Sequence, residues 1–319
     1  MARAFFIRLA QAVLLILGVS FTGFMLMRLA PGGPMALYTN SPDTVAADID
    51  QLRTSLGLDQ PLPVQYLHWL GAMLTGDWGR SFFGGRPVTQ MVAERLPATL
   101  ELMGLSISLA MVVGVSGGVL AAVRRGSIAD RLINAGSLIA LSLPTFWFGL
   151  LGIYMFGEVL GWLPVGGQTS LANSAGIGDR LAHLVLPVAV LTTALSAQWS
   201  RYTRSAMLDI LEQPYMRAAM AKGLRRRTIL WRHGFRSALP PLLALAGLQL
   251  PMLVGGALVT ETVFAWPGMG QMFVNALSYR DYPILMALLM LSAVLVIVGN
   301  MVADMLVAFA DPRVRSARR

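Results

Sequence analysis

The chain of 319 residues contains no cysteine, which excludes a disulfide framework, a thiolate metal site and a cysteine nucleophile together. Histidine occurs three times, as His68, His183 and His233, too far apart in sequence to suggest a histidine-rich metal site. Lysine occurs once, as Lys222 in MAKGL, and no G-x-x-x-x-G-K-[ST] phosphate loop is present. The usual nucleotide cradle of an ATPase is therefore missing, as is the H-E-x-x-H of a zinc protease. Charge is scarce as well. Asp, Glu, Lys and Arg make up 13% of the chain, against roughly 25% in soluble domains, and 55% of residues are hydrophobic. A soluble fold of this length could not cover so much apolar surface, whereas a bilayer removes the need to.

What is present is a series of long uncharged runs. About 20 apolar residues suffice to cross the hydrocarbon core, and six stretches meet or nearly meet that length: residues 9–27, 102–123, 132–157, 181–200, 237–260 and 282–303. The first is too long for a signal-peptide core and is followed by Arg28 and APGGP, with no A-x-A-like cleavage site, so it reads as a retained span. Six spans put both termini on one side. The N-terminal segment, residues 124–131, residues 201–236 and the C-terminal tail carry 18 of the 25 lysines and arginines, which places them in the cytoplasm. The net charge of +9 is thus largely an orientation signal and needs no nucleic-acid partner.

The expected organisation is an N-terminal span (1–30), an extracytoplasmic region (31–96), a core of five spans (97–310) with a cytoplasmic loop at 201–236, and a basic tail (311–319). The extracytoplasmic region contains Pro42, Pro61, Pro63 and Pro87 and an amphipathic piece near residues 65–74. Part-helical structure on the membrane face is expected there. FAWPGMGQMFVNALSY, residues 264–279, is uncharged, shorter than a span and interrupted by Pro267, Gly268 and Gly270. Such a segment re-enters or lies at the interface under a cover of protein. Catalysis inside the bilayer would need converging carboxylates, but Glu101, Glu158, Glu261 and Asp304 all fall near span ends, as interfacial or capping acids do. Several spans carry Pro and Gly, among them Pro144, Pro187, Pro251, the spacing Gly114-x-x-x-Gly118 and the pair Gly255–Gly256. Small residues let helices approach closely. Gln249 in the fifth span would be costly against hydrocarbon, so Gln249, Gly255 and Gly256 are candidates for lining a pathway or meeting a partner subunit.

The loop at 201–236 is the most informative segment. Pro214 should end the helix continuing from the fourth span, and residues 215–222 make about two helical turns. Gly223 is placed to stop them as a left-handed C-terminal cap. Ala218, Ala219 and Ala221 give that helix a small-residue surface suited to a groove in another protein. Arg225, Arg226 and Arg227 follow, then TILWRHG, a second short segment ending at Gly234. A basic loop resting on anionic lipid is the simpler alternative, but it leaves the capped, Ala-rich helix unexplained.

RAAMAKG resembles the EAA loop of ABC importer permeases, E-A-A-x-x-x-G, with Arg217 where the general pattern has Glu. RLAPGGP (28–34), LGLDQPLPVQYLHWL (56–70), GDWGRSF (76–82), ERLPATLEL (94–102), SLPTFWFG (142–149), ETVFAWPGMG (261–270), RDYP (280–283) and DPRVR (311–315) are similar to segments of B-type permeases of dipeptide and oligopeptide importers. The resemblance implies an all-α membrane protein with six transmembrane helices, the type-I ABC importer permease fold and a cytoplasmic coupling loop. It implies Tyr215, Arg217, Ala218, Ala219, Lys222, Gly223 and Leu224 as the contact with an ATPase. It further implies a second, homologous permease subunit forming a heterodimer, two cytoplasmic ATPase subunits holding ATP and Mg, and an extracytoplasmic substrate-binding protein. The chain itself would bind no cofactor or metal and do no covalent chemistry, in the inner membrane of a bacterial-type cell. Peptides are the expected cargo. The same branch also carries nickel or metal chelates, glutathione and sugars, and an intramembrane enzyme is the distant alternative.

Overall fold

The computed structural model describes residues 2–29, 59–170, 176–255 and 257–310, and every regular element among them is a helix. Among the described residues, four helices are long and apolar enough to cross a bilayer unbroken: Ala10–Leu29, Val88–Val123, Ile177–Leu211 and Tyr282–Leu306. They belong to α1 (Ala2–Leu29), α3 (Val88–Val123), α6 (Ile177–Leu211) and α12 (Tyr282–Ala310), the expected first, second, fourth and sixth spans. α3 runs straight through residues 96 and 97, so the division expected there is not one of secondary structure.

The third span is corrected. It is not one helix over 132–157 but α4 (Ile128–Ser142) and α5 (Thr145–Gly152), the latter widening into a π-helical stretch, Ile153–Val159. The two halves meet at 97°. The cause is local: Leu143 precedes Pro144 and takes an extended ψ of 133°, as steric clash with a following proline ring demands. The fifth span is corrected too. It divides into α8 (Arg236–Gln249) and α9 (Met252–Gly255) around Leu250 and Pro251. Neither piece alone has the length to cross. Gly256 lies outside the described residues.

α3 and α6 form the central pair, brought close by glycine. A methyl on Gly118 would sit 2.5 Å from the Ser200 carbonyl oxygen and 2.6 Å from Thr203 Cβ; one on Gly114 would meet Ser196 O at 2.6 Å. The Gly114-x-x-x-Gly118 spacing is therefore a close-approach seam. The letters GVSGG at 114–118 also spell the G-x-S-x-G of a nucleophile elbow, but they lie within α3, without the strand-to-helix turn that motif requires. A second close pair joins α8 to α12, where Gly247 packs on Ala303.

Outside the spans, the amphipathic piece expected near 65–74 is α2 (Leu62–Leu74), which begins after Pro61. It lies along α1 through a 2.7 Å hydrogen bond between the Tyr66 and Ser20 hydroxyls and edge contacts of Phe21 and Phe24 with Tyr66. Residues 30–58 of that region, including Pro42, lie outside the described residues. A turn closed by an isolated antiparallel bridge between Arg80 and Pro87 is fastened to the start of α12 by buried Asp281. Its carboxylate accepts from the Ser81 hydroxyl and the Phe82 amide.

Candidate functional site

The loop at 201–236 is built as a helix slung between two rods. α6 descends to Leu211, Glu212 ends it, and Gln213 turns extended (ψ 146°) before Pro214. Pro214 then opens α7 (Pro214–Ala221) at the first helical position, where its missing N–H costs nothing. Lys222 caps the far end. Gly223 follows at φ +74°, with no heavy atom near a would-be Cβ, so glycine is required here by backbone conformation and not by crowding. The expected left-handed stop is thus present in the geometry.

One side chain of α7 is buried. Met216 is fully enclosed, and its methyl, with that of Met207 on α6, would lie 3.6 Å from a Cβ placed on Gly234. Tyr215, Arg217, Ala218 and Met220 are exposed, as are Lys222 and Leu224 beyond the helix, while Ala219 is half-buried. The sequence-expected contact residues are therefore accessible, Ala219 only in part, and the helix that carries them is anchored by Met216, which no local sequence pattern marks. Beneath it Val123, Leu211, Met220, Leu224, Ile229 and Leu230 line an apolar groove of about 450 Å³.

TILWRHG is the point of correction here. Gly234 ends no helix. Arg226–Thr228, a π-helical segment Ile229–Phe235 and α8 form one uninterrupted rod into the membrane. Gly234 is buried within it, with the Met207 and Met216 methyls at ordinary contact distance from its Cβ position.

The α6 rod is braced against α4. Arg204 grips Asp130 with two parallel hydrogen bonds of 2.7 and 2.9 Å, and the same carboxylate accepts from the Gly126 amide and from Asn134. Fork-to-fork pairing of this kind fixes orientation as well as distance. Arg125 adds an ion pair to Glu212 at the end of α6.

The candidate pathway residues lie at the upper end of the second rod. Gln249 is buried within the subunit, 3% exposed, and its Oε1 accepts from Trp199 Nε1 on α6 at 3.0 Å. In this conformation it faces a neighbouring helix. Gly255 ends α9, so Gln249 and Gly255 sit on either side of the helix break.

On the opposite side of the bundle, α10 (Leu258–Val263) and α11 (Met269–Ser278) enclose the FAWPGMG segment. Trp266 is fully buried and donates to the Ala98 carbonyl at 2.8 Å, so this segment does lie under a cover of protein. Glu261, also fully buried, receives the Thr99 hydroxyl (2.9 Å) and the amides of Gly270 (2.7 Å) and Gln271 (3.1 Å). Thr99 Oγ1 accepts from the Met269 amide at 2.7 Å. The capping role expected of Glu261 is real, but it acts on a helix eight residues further along the chain.

The chain's likeness to known proteins agrees with this architecture. Residues 114–316 match the family described as the inner-membrane component of binding-protein-dependent transport systems, and residues 1–103 match the N-terminal region of such membrane components. The oligopeptide transport system permease protein AppB of Bacillus subtilis is 45% identical over 308 residues, 96% of this chain and 97% of that protein. A protein of Brucella ovis with a peptide-permease designation is 40% identical over 310 residues, 97% of each chain. A peptide ABC transporter permease designated y4tP in Sinorhizobium fredii is 39% identical over 308 residues, again 97% of each. Among solved structures, an inward-facing form of the MetNI methionine ABC transporter aligns with a TM-score of 0.55 at 22% identity, over 70% of this chain and 97% of that one, a likeness of fold alone. With helical spans, a capped helix between two of them and relatives matched over 97% of their length all in agreement, this chain belongs to the family of inner-membrane permease components of binding-protein-dependent transport systems.

Proposed function

We propose that the chain forms half of a translocation pathway for peptides and couples it to a separate ATPase through α7. The observation that carries this reading is the exposed, Gly223-capped helix held between two continuous rods, one from the fourth span and one into the fifth. A displacement of α7 reaches both rods through the Met216–Gly234 contact and the short connections at Gln213 and residues 222–225. Tyr215, Arg217, Ala218, Ala219, Lys222, Gly223 and Leu224 form the docking face. Two ATPase subunits, a second homologous permease and an extracytoplasmic binding protein complete the assembly. Peptides are favoured over metal chelates, glutathione or sugars because AppB and the two other relatives above carry peptide-transport names.

The test is reconstitution with the cognate ATPase and binding protein in lipid. Peptide-loaded binding protein should stimulate ATP hydrolysis; failure of any ATPase to co-purify would overturn the reading. Gly223→Val supplies the specific arm. A left-handed backbone costs a non-glycine residue roughly 1–2 kcal/mol, and a β-branched one more. Nothing near Gly223 crowds the new side chain. Insertion should stay normal while stimulated hydrolysis falls at least fivefold; full stimulation by the variant would remove Gly223 from the mechanism.

Both termini and α7 are placed in the cytoplasm on the distribution of Lys and Arg. The absence of cysteine makes this directly testable. A single cysteine at Thr228 should resist a membrane-impermeant maleimide added outside intact cells, while one at Phe83, 68% exposed, should react. The reverse pattern would invert the topology.

A further inference from the structure

The pair Trp199–Gln249 joins the two rods that flank α7. Trp199 lies on α6, twelve residues before Leu211, and Gln249 is the last residue of α8, directly before the break at Leu250–Pro251. Both are buried, at 1% and 3% exposure, inside the apolar part of the bundle. An indole N–H can only donate, so the orientation of the carboxamide is fixed by its partner: Oε1 faces Trp199 and Nε2 points away. Nε2 is itself buried and finds no acceptor among the described residues. The bond therefore satisfies half of the glutamine and strands the other half. A buried amide group left in that condition disfavours the arrangement that buries it.

We propose that Trp199 and Gln249 are positioning residues that set the balance between two arrangements of the rods. The Trp199–Gln249 bond holds the arrangement seen here, and the unsatisfied Nε2 draws Gln249 toward a polar pathway in the other. The two halves of one carboxamide thus pull in opposite directions, and the balance stays close enough to be tipped from α7. The proposal rests on the reading of this chain as an ATP-coupled permease.

Opposing contributions predict opposing variants. Trp199→Phe removes the holding bond and leaves the whole carboxamide unpaired, so the resting arrangement is weakened. ATP hydrolysis without binding protein should rise at least threefold in the reconstituted transporter. Trp199→Phe combined with Gln249→Met removes the draw as well. Basal hydrolysis should return to the wild-type rate or below, and stimulation by loaded binding protein should fall at least threefold. Gln249→Met alone keeps the indole and must also depress the stimulated rate. If the Trp199 variants fail to assemble, Gln249→Met decides the question: its stimulated rate must fall by a larger factor than its basal rate, whereas a structural role lowers both alike. A purely structural role would lower every rate in every variant, and that result, or wild-type rates throughout, overturns the proposal. Melting of the purified complex gives a readout independent of ATP: Trp199→Phe should lower the melting temperature and the double variant should restore it. A wild-type complex indifferent to its binding protein would refute the transporter reading, whereas additive melting shifts would refute the pair.

Discussion

Valine in place of Gly118 should reduce the yield of folded, detergent-stable protein to under about a tenth of wild type. The added Cβ would stand 2.5 Å from the Ser200 carbonyl oxygen and 2.6 Å from Thr203 Cβ, with the Arg204 amide nitrogen at 3.1 Å. Two of these three atoms are helix backbone and cannot rotate away. Overpacking of a well-filled core usually costs about 1–3 kcal/mol, and here relief requires α3 and α6 to separate along the seam that includes Gly114. Separation would also strain the Arg204–Asp130 brace, which begins at the very residue Gly118 touches. Gly104, on the same helix, supplies the control. Nothing lies within 4 Å of its Cβ position, and alanine is the better helix former by up to about 1 kcal/mol. Gly104→Ala should therefore fold at least as well as wild type. Equal yields for Gly118→Val and Gly104→Ala would show that the close approach of α3 and α6 is not needed for assembly.

Glu261→Ala should loosen the start of α11 more than any other single change around it. The carboxylate receives three donors, and all three are left without an acceptor by the alanine. Each buried unsatisfied donor costs about 1–3 kcal/mol, so even with partial relaxation the first turn of α11 should lose about 3 kcal/mol. Exchange of the Gly270 and Gln271 amide hydrogens should quicken by about 100-fold, since 1.4 kcal/mol is a factor of ten. Thr99→Val removes one acceptor, for the Met269 amide, and should show a smaller effect centred on that residue. Gly268→Ala tests the same knot from the other side, because its methyl would collide with the Glu261 carboxylate. If hydrogen exchange at Gly270 and Gln271 is unchanged in Glu261→Ala, the caps are supplied from elsewhere.

These features differ in how far the sequence disclosed them. The unbroken spans were legible because a bilayer demands uninterrupted apolar length, and the α7 cap was legible because Pro214 and Gly223 act through their own backbones. Gly114 and Gly118 gave a spacing but no partner; the structure supplies Ser196, Ser200 and Thr203. Pro144 and Pro251 could be seen within apolar runs, but proline in a membrane helix is compatible with a smooth helix, a bend or a full break. Pro144 with an extended Leu143 makes the full 97° turn, and Leu250–Pro251 makes the α8–α9 break; the residue type alone did not say which of the three outcomes each would take. Gly234 was misread for a related reason. A glycine after a short helical pattern usually stops it, but this one lies buried inside a continuous rod, beside two methionine methyls. The polar knots were the least legible. Thr99 and Glu261 are 162 residues apart, Ser81 and Asp281 200, and Arg204 and Asp130 74. No local pattern announces a carboxylate whose donors arrive from a different part of the chain.

The rod from Arg226 to Gln249 touches α6 and α7 at Gly234, a point well off its centre. At about 1.5 Å per residue, about 12 Å of the rod lies on the α7 side of that contact and about 22 Å on the side of the helix break. A rigid rod pivoting there, with its long arm sliding at the Gly247–Ala303 contact, would trade force for travel at about one to two. A shift of about 1.5 Å imposed on the short arm becomes about 3 Å at Gln249, as much as the whole length of the Trp199 hydrogen bond. An off-centre fulcrum at one buried glycine would favour large movement against a small load at the helix break.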